Sequence, residues 1–327
     1  MDLSLRPMST SQVLDKTFSL YRENFLLFAG IAALPPACLL IFNFLMLGSG
    51  SAMTGSPAAM LAAGAVILLA SLGVAILWLM GYALASGASA YAVSRFYLGY
   101  ATTIGEAYRL IKPYVGRVVG IVLLFFVGMV IVGIALGICF VVLSIFVGVS
   151  AGIGAKSTAA PIALVVAFFL LGIPIVVLLL YLWAIFAFSV PACVLEKLGI
   201  LESMQRSAVL TQGARWRLVL VYVLAAILTF AVSQVLAIPY YIGIFRTVST
   251  GDVGALRPYL MWQYLAQFIS GSLSFPIVTI AVCLIYYDQR VRKEAFDLQF
   301  MMETMGNQPR TPAPIAPPPA SIPPALG

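Results

Sequence analysis

The stretch Pro191–Arg217, PACVLEKLGILESMQRSAVLTQGARWR, decides how this sequence folds. It gathers Glu196, Lys197, Glu202, Arg206, Arg215 and Arg217 between two runs that carry no charge, Ser157–Leu195 and Leu218–Phe245. A helix needs about 20 apolar residues to cross the hydrocarbon core of a bilayer, and both flanking runs exceed that. The segment therefore reads as a polar connection between two membrane spans. Gly199 and Glu202 stand at the spacing of a helix start, and Met204, Arg206 and Leu210 carry an amphipathic pattern on to Arg215-Trp216-Arg217.

Outward from this stretch the same contrast recurs. Asn24–Ser94, Val118–Ala155 and Pro258–Tyr287 are also free of charge. Charged residues make up 9% of the chain and hydrophobic ones 62%, with a mean hydropathy of +1.07. A soluble domain carries about 25% charged residues, and it could not cover five such runs with so little polar surface. The fold class is all-α, a polytopic helical membrane protein; runs this long exclude a β-barrel, whose strands need only about 9–11 residues. The expected layout is six transmembrane helices in three hairpins, at about 25–47, 60–94, 118–147, 161–190, 218–244 and 262–287.

The first run is longer than the roughly 7–15 apolar residues of a signal peptide and reads as an uncleaved span. Pro35-Pro36, Pro174, Pro239 and Pro276 predict bends or breaks, because proline removes a backbone donor and crowds the preceding turn. Gly133 and Gly137, preceded by Gly116 and Gly120, have the spacing that lets helices approach closely, either within the bundle or between copies. Residues 288–307 read as a charged helix. Residues 308–327 are proline-dense, which favours extended polyproline II, either as a solvated tail or as a ligand for a proline-reading domain.

Residues 1–24 form an amphipathic arm. Ser9 and Gln12 have capping-box spacing, and Val13, Leu14, Phe18 and Tyr21 share one helical face. Thr103 and Glu106 repeat the box ahead of Ala107, Leu110 and Ile111, and Pro113 should end that helix. The three starts, Ser9, Thr103 and Gly199, lie 94 and 96 residues apart. Each leads to a basic residue (Arg22, Arg117, Arg215) at the mouth of an odd-numbered span. The expected unit is an interfacial amphipathic helix plus a hairpin, repeated in parallel. Fifteen of the 18 Lys and Arg lie on the side of the chain termini, so the positive-inside rule puts both termini in the cytoplasm of a bacterial inner membrane.

The chemistry is sparse. Histidine is absent, which removes the commonest general base and neutral metal ligand. Cys38, Cys139, Cys193 and Cys283 are scattered in apolar runs with no CxxC spacing, and no GxGxxG or GxxxxGK[ST] occurs. Glu196 with Lys197, Glu202 with Arg206, and Asp288 beside Arg290 and Arg292 read as interface ion pairs. A hydrolase would need Glu196, Glu202 and Asp288 to converge. No cofactor or metal is expected, and the chain reads as not an enzyme. The net charge of +7 sits at span ends, where lipid headgroups rather than nucleic acid are the partner. Within the spans only Asn43, Gln234, Gln263 and Gln267 stand out, either as interhelical hydrogen-bonding groups or as a polar patch for a headgroup.

PACVLEKLGILESMQRSAVLTQGARWR, the opening VLDKTFSLYRENF and the closing YYDQRVRKEAFDLQ together resemble the bacterial glycerophosphoryl diester phosphodiesterase membrane domain family across most of residues 9–300. The resemblance implies a membrane module and not the phosphodiesterase, whose soluble catalytic domain and histidines have no counterpart in this sequence. Two functions follow as expectations. One is a scaffold or accessory component acting through its cytoplasmic helices, with a membrane-protein partner or a second copy of itself. The other is a transporter or lipid-handling protein with a cavity among the hairpins.

Overall fold

The computed structural model describes residues 8–48, 57–97, 100–152 and 159–294, and every regular element among them is a helix. The first, α1 (Thr10–Glu23), starts at the expected capping box: Ser9 Oγ accepts the Gln12 N–H at 3.3 Å and Gln12 Oε1 accepts the Ser9 N–H at 2.8 Å. Its inward face is Val13, Thr17, Leu20 and Tyr21, while Phe18 is 48% exposed. The expected face was thus rotated. Thr17 can point inward because its hydroxyl donates to Val13 O at 2.7 Å, so no polar atom is orphaned. Tyr21 donates to Leu273 O at 3.0 Å, and burial pushes its pKa up to about 12.

Helices α2 (Phe25–Ala32) and α3 (Leu34–Gly48) meet at a 50° bend. Pro35 has no N–H to offer Ile31 O four residues back, and that carbonyl accepts the Tyr108 hydroxyl at 2.9 Å instead. Tyr108 lies on α5 (Ile104–Ile111), which follows the 41-residue α4 (Pro57–Tyr97) and opens on the predicted Thr103–Glu106 box. Pro113 ends α5 in a 3₁₀ turn, Lys112–Tyr114, before α6 (Val115–Gly152).

Next come α7 (Ala159–Ile185), α8 (Ser189–Leu195), α9 (Ile200–Leu210), α10 (Arg215–Leu236), α11 (Ile238–Thr250) and α12 (Arg257–Glu294). The span expected over 218–244 is broken at Ala237, because Pro239 sits in the first turn of α11. Trp262 Nε1 donates to the freed Leu236 carbonyl at 2.7 Å. The span expected at 161–190 likewise divides at Phe186–Phe188. The charged segment expected from 288 continues α12 without interruption as far as Glu294; residues 295–307 and the proline-rich tail lie outside the described residues.

Among the described residues, five helical stretches are long and apolar enough to cross a membrane, or six if the bent α2–α3 pair is one span. The chain is a membrane protein. Several helices exceed the need: 38 residues in α6 or α12 extend about 57 Å, against a hydrocarbon core of about 30 Å.

Helix α3 packs along α4, α6 along α7 and α10 along α12, and α12 also touches α1, α2, α3, α4, α9 and α11. Its segment Ile280–Gln289 is buried throughout. The core gathers at this charged end around Val93, Ile111, Val118, Phe188, Leu218 and Tyr286. The far part of α4, with Leu61, Leu68 and Leu72, and that of α6, with Ile131, Ile134 and Ile138, stay exposed. Lipid tails solvate such side chains as well as a protein core does. Gly120 lies against Ile200 of α9, but nothing packs within 4 Å of where a side chain would begin on Gly133 or Gly137.

Gly243 lets α11 approach α12 closely: a Cβ there would fall 2.3 Å from Cγ of Tyr259. Gly243→Ala should lower stability by about 1–3 kcal/mol through overpacking, measured by thermal unfolding in mild detergent. Gly133→Ala, at an open position, should leave the transition unchanged or raise it slightly.

Candidate functional site

The charged end of the bundle is built on α12, which presents Tyr286, Asp288, Arg290, Arg292 and Glu294 within three turns. The Asp288 side chain is fully enclosed, at 0% exposure. A buried carboxylate is tolerated only where ionic and hydrogen-bonding partners replace its water. Here Oδ1 accepts the Met8 N–H at 2.7 Å, while Oδ2 accepts Arg217 Nη1 at 2.6 Å and Arg292 Nε at 3.0 Å. Arg217 and Arg292 each also donate to Met8 O at 2.9 Å. One carboxylate thus joins the start of α1, the start of α10 and the end of α12.

A second network lies one turn away. Glu196, just after α8, accepts Arg206 Nε at 2.9 Å, lies 3.8 Å from Arg290 Nε, and accepts the Tyr286 hydroxyl. Arg206 also pairs with Glu294, which accepts Arg290 Nε at 3.2 Å. Burial alone would pull the Arg206 pKa down, but hydrogen bonds and charges from Glu196 and Glu294 hold it above its usual value. The pairings differ from those expected. Arg206 reaches ten residues back and across to α12 rather than to Glu202, because Glu202 Oε2 accepts the Gly199 N–H at 2.9 Å at the start of α9. Gly199 has no side chain, so this third capping box has only its reciprocal half. Asp288 engages Arg292 and Arg217, and Arg290 turns to Glu196 and Glu294.

Lys197 is in the left-handed region, with φ 59°, and its carbonyl accepts Arg117 Nη1 at 3.0 Å, so it makes the turn instead of pairing with Glu196. Arg215 donates to Tyr181 Oη at 3.0 Å and Ala208 O at 3.3 Å. Arg22 is exposed. Among the intramembrane polar residues, Gln234 accepts the Tyr241 hydroxyl at 2.7 Å. Asn43 is half-buried and Gln267 exposed, and the buried Oε1 of Gln263 has no partner.

The sequence pattern missed the role of α9. Its buried face is polar, with Ser203, Ser207 and Thr211 beside Leu210. Ser207 Oγ donates to Ile185 O at 2.8 Å and accepts the Phe188 N–H at 3.0 Å, stapling the break between α7 and α8. Hydroxyls four apart in an otherwise amphipathic helix are the signal that could have found it.

Next to that break lies a cavity of about 370 Å³, walled by Tyr82, Phe125, Trp183, Phe186, Tyr222 and Phe275. Its lining residues include Ser86, Ser189, Thr279 and Cys283 but no Asp, Glu, Lys or Arg. Such a chamber can hold an apolar molecule. No group of His, Cys, Asp and Glu among the described residues could hold a metal ion. Gly148-Val149-Ser150-Ala151-Gly152 has the spacing of a serine-hydrolase elbow, but it ends helix α6, whereas that motif needs a strand-to-helix turn. Glu196, Glu202 and Asp288 are each tied to different partners.

The three amphipathic starts, the Asp288 node and the α9 staple all fall inside the region that one family model covers. The chain belongs to the DUF7847 family. The match to DUF7847, a domain of unknown function, runs over residues 8–289; it takes in the cavity, Asp288, Arg217, Glu196 and Arg206, and stops short of Arg290, Arg292 and Glu294. No curated protein and no solved structure matches the chain.

Removing the Asp288 carboxylate strands two arginines and the Met8 N–H. Asp288→Ala should cost about 3–5 kcal/mol, the range for breaking a buried ion pair. Trypsin cleavage at Lys16 and Arg22 of the folded protein should quicken in parallel, read by mass spectrometry of timed digests.

Proposed function

We propose that this DUF7847 chain is a lipid-handling protein of the bacterial inner membrane, without catalytic chemistry, that holds an apolar molecule among three hairpins. The cavity carries this reading. It lies where α4, α6, α7, α10 and α12 approach one another, and its aromatic wall suits a hydrocarbon ligand. In the proposed arrangement α2–α3 is one bent span, six spans cross the membrane, and the charged end faces the cytoplasm. Phe18, Leu110, Leu201 and Val209 are exposed on the three amphipathic helices, as suits seating in the headgroup boundary. The resemblance to the glycerophosphoryl diester phosphodiesterase membrane domain family belongs to the same proposal: a membrane module without the phosphodiesterase.

A scaffold or accessory role is the second reading. Its charged surface is weakened, because Arg206, Arg217 and Arg290 are spent on internal pairs. What favours it is Trp216, exposed beside Leu220 where α10 emerges from the charged end, a foothold for a membrane-protein partner or a second copy.

Native mass spectrometry of the protein extracted in mild detergent separates the two. Lipid-handling predicts a retained lipid at one per chain, lost when Ala187→Phe fills the cavity. A chain that retains no lipid but keeps a protein partner, released by Trp216→Ala, would overturn it.

A further inference from the structure

The chamber is more selective than a generic greasy pocket, and its selectivity is written at the α7–α8 break. Breaking a helix inside a membrane strands backbone groups that have no water to turn to. Helix α9 satisfies them: Ser207 takes the Phe188 N–H and donates to Ile185 O, and Thr211 donates to the same carbonyl at 3.3 Å. On the cavity wall, Ser86 donates to Ala83 O at 3.0 Å and Thr279 to Pro276 O at 3.1 Å, each within its own helix. Ser189, the first residue of α8, differs from these two. It lines the cavity, is 1% exposed, and its Oγ has no hydrogen-bond partner. A buried hydroxyl left unpaired is costly, and beside a cavity it marks where a ligand's polar atom belongs.

The wall also states what that polar atom is not. With no charged residue among its lining, a phosphate or ammonium would be buried without a counter-ion. Charges close in sequence to the lining are engaged elsewhere: Glu196 with Arg206, Arg217 with Asp288, Arg117 with the Lys197 carbonyl, and Arg95 over the Tyr100 ring. Size restricts the ligand further, since 370 Å³ is near the lower end of the roughly 300–1,000 Å³ of small-molecule pockets, space for one chain rather than two. Resting on the lipid-handling reading, we propose that the cavity binds an uncharged single-chain amphiphile, whose hydroxyl or carbonyl pairs with Ser189 Oγ while its chain lies against Phe125, Trp183 and Tyr222.

Three probes titrated into delipidated full-length protein in mild detergent test this: monooleoylglycerol, lysophosphatidylglycerol with the same chain, and hexadecane, each followed by native mass spectrometry. Monooleoylglycerol should bind at one per chain and lysophosphatidylglycerol at least about ten-fold more weakly, as expected for an uncompensated buried charge. Ser189→Ala should weaken monooleoylglycerol by about three- to ten-fold, one hydrogen bond's worth, and leave hexadecane unchanged. The ligand-free variant should melt no lower than the native chain, because only an orphan hydroxyl is lost. Equal binding of the charged and uncharged probes, or indifference to Ser189→Ala, overturns this inference and leaves lipid-handling standing. Failure of all three probes to bind overturns both. Should Ser189→Ala fail to fold, the headgroup comparison on the native chain decides alone.

Discussion

One buried carboxylate sets the terms for the charged end of this protein. Asp288 lies at the meeting point of α1, α10 and α12, and each of its contacts comes from a different part of the chain. Its desolvation is unfavourable alone, so the two arginines and the Met8 N–H have to arrive together. That requirement fixes the rotation of α12 and with it the inward direction of Tyr286 and Tyr287. Tyr286 then reaches Glu196, and Tyr287 donates to Ser94 Oγ at 2.8 Å, drawing α8 and α4 onto the same helix. Without this polar node, the apolar surfaces of these helices would have little reason to choose one register, since lipid solvates them about as well as protein does.

Breaks in helices are handled by one recurring device. At Pro35 the freed Ile31 carbonyl takes a tyrosine hydroxyl, at Ala237 the Leu236 carbonyl takes an indole N–H, and at Phe186–Phe188 the exposed groups take a serine. In each case the donor or acceptor comes from a separate helix, so a local defect becomes a tertiary contact. The α7–α8 break differs in bordering a cavity, and there the satisfaction stops one hydroxyl short.

Much of the architecture was legible in the residues because it follows from solvent. Runs such as Leu218–Phe245 have only one medium that accepts them, and the boxes at Ser9 and Thr103 satisfy orphan N–H groups that every helix start exposes. The pairing partners were not legible. Glu202 and Arg206 have ideal local spacing, yet the glutamate is drawn to the Gly199 N–H, and Arg206 finds two acids brought near by packing. Thr17 lies inward where Phe18 was expected, because a threonine can return its hydroxyl to its own helix and so be buried with no polar atom orphaned. The cavity was invisible for a similar reason: its wall is drawn from α4, α6, α7, α8, α10 and α12, and no single stretch encodes an empty volume.

The bond between Met8 and Asp288 spans 280 positions of sequence. On a chain threaded into the membrane in sequence order, the carboxylate that anchors α1 is therefore made long after α1 itself. Until α12 is in place, α1 has neither its buried carboxylate nor the face that receives Val13 and Tyr21. The arm is made before the helix that receives it, and its docking reports that α12 has been put in place.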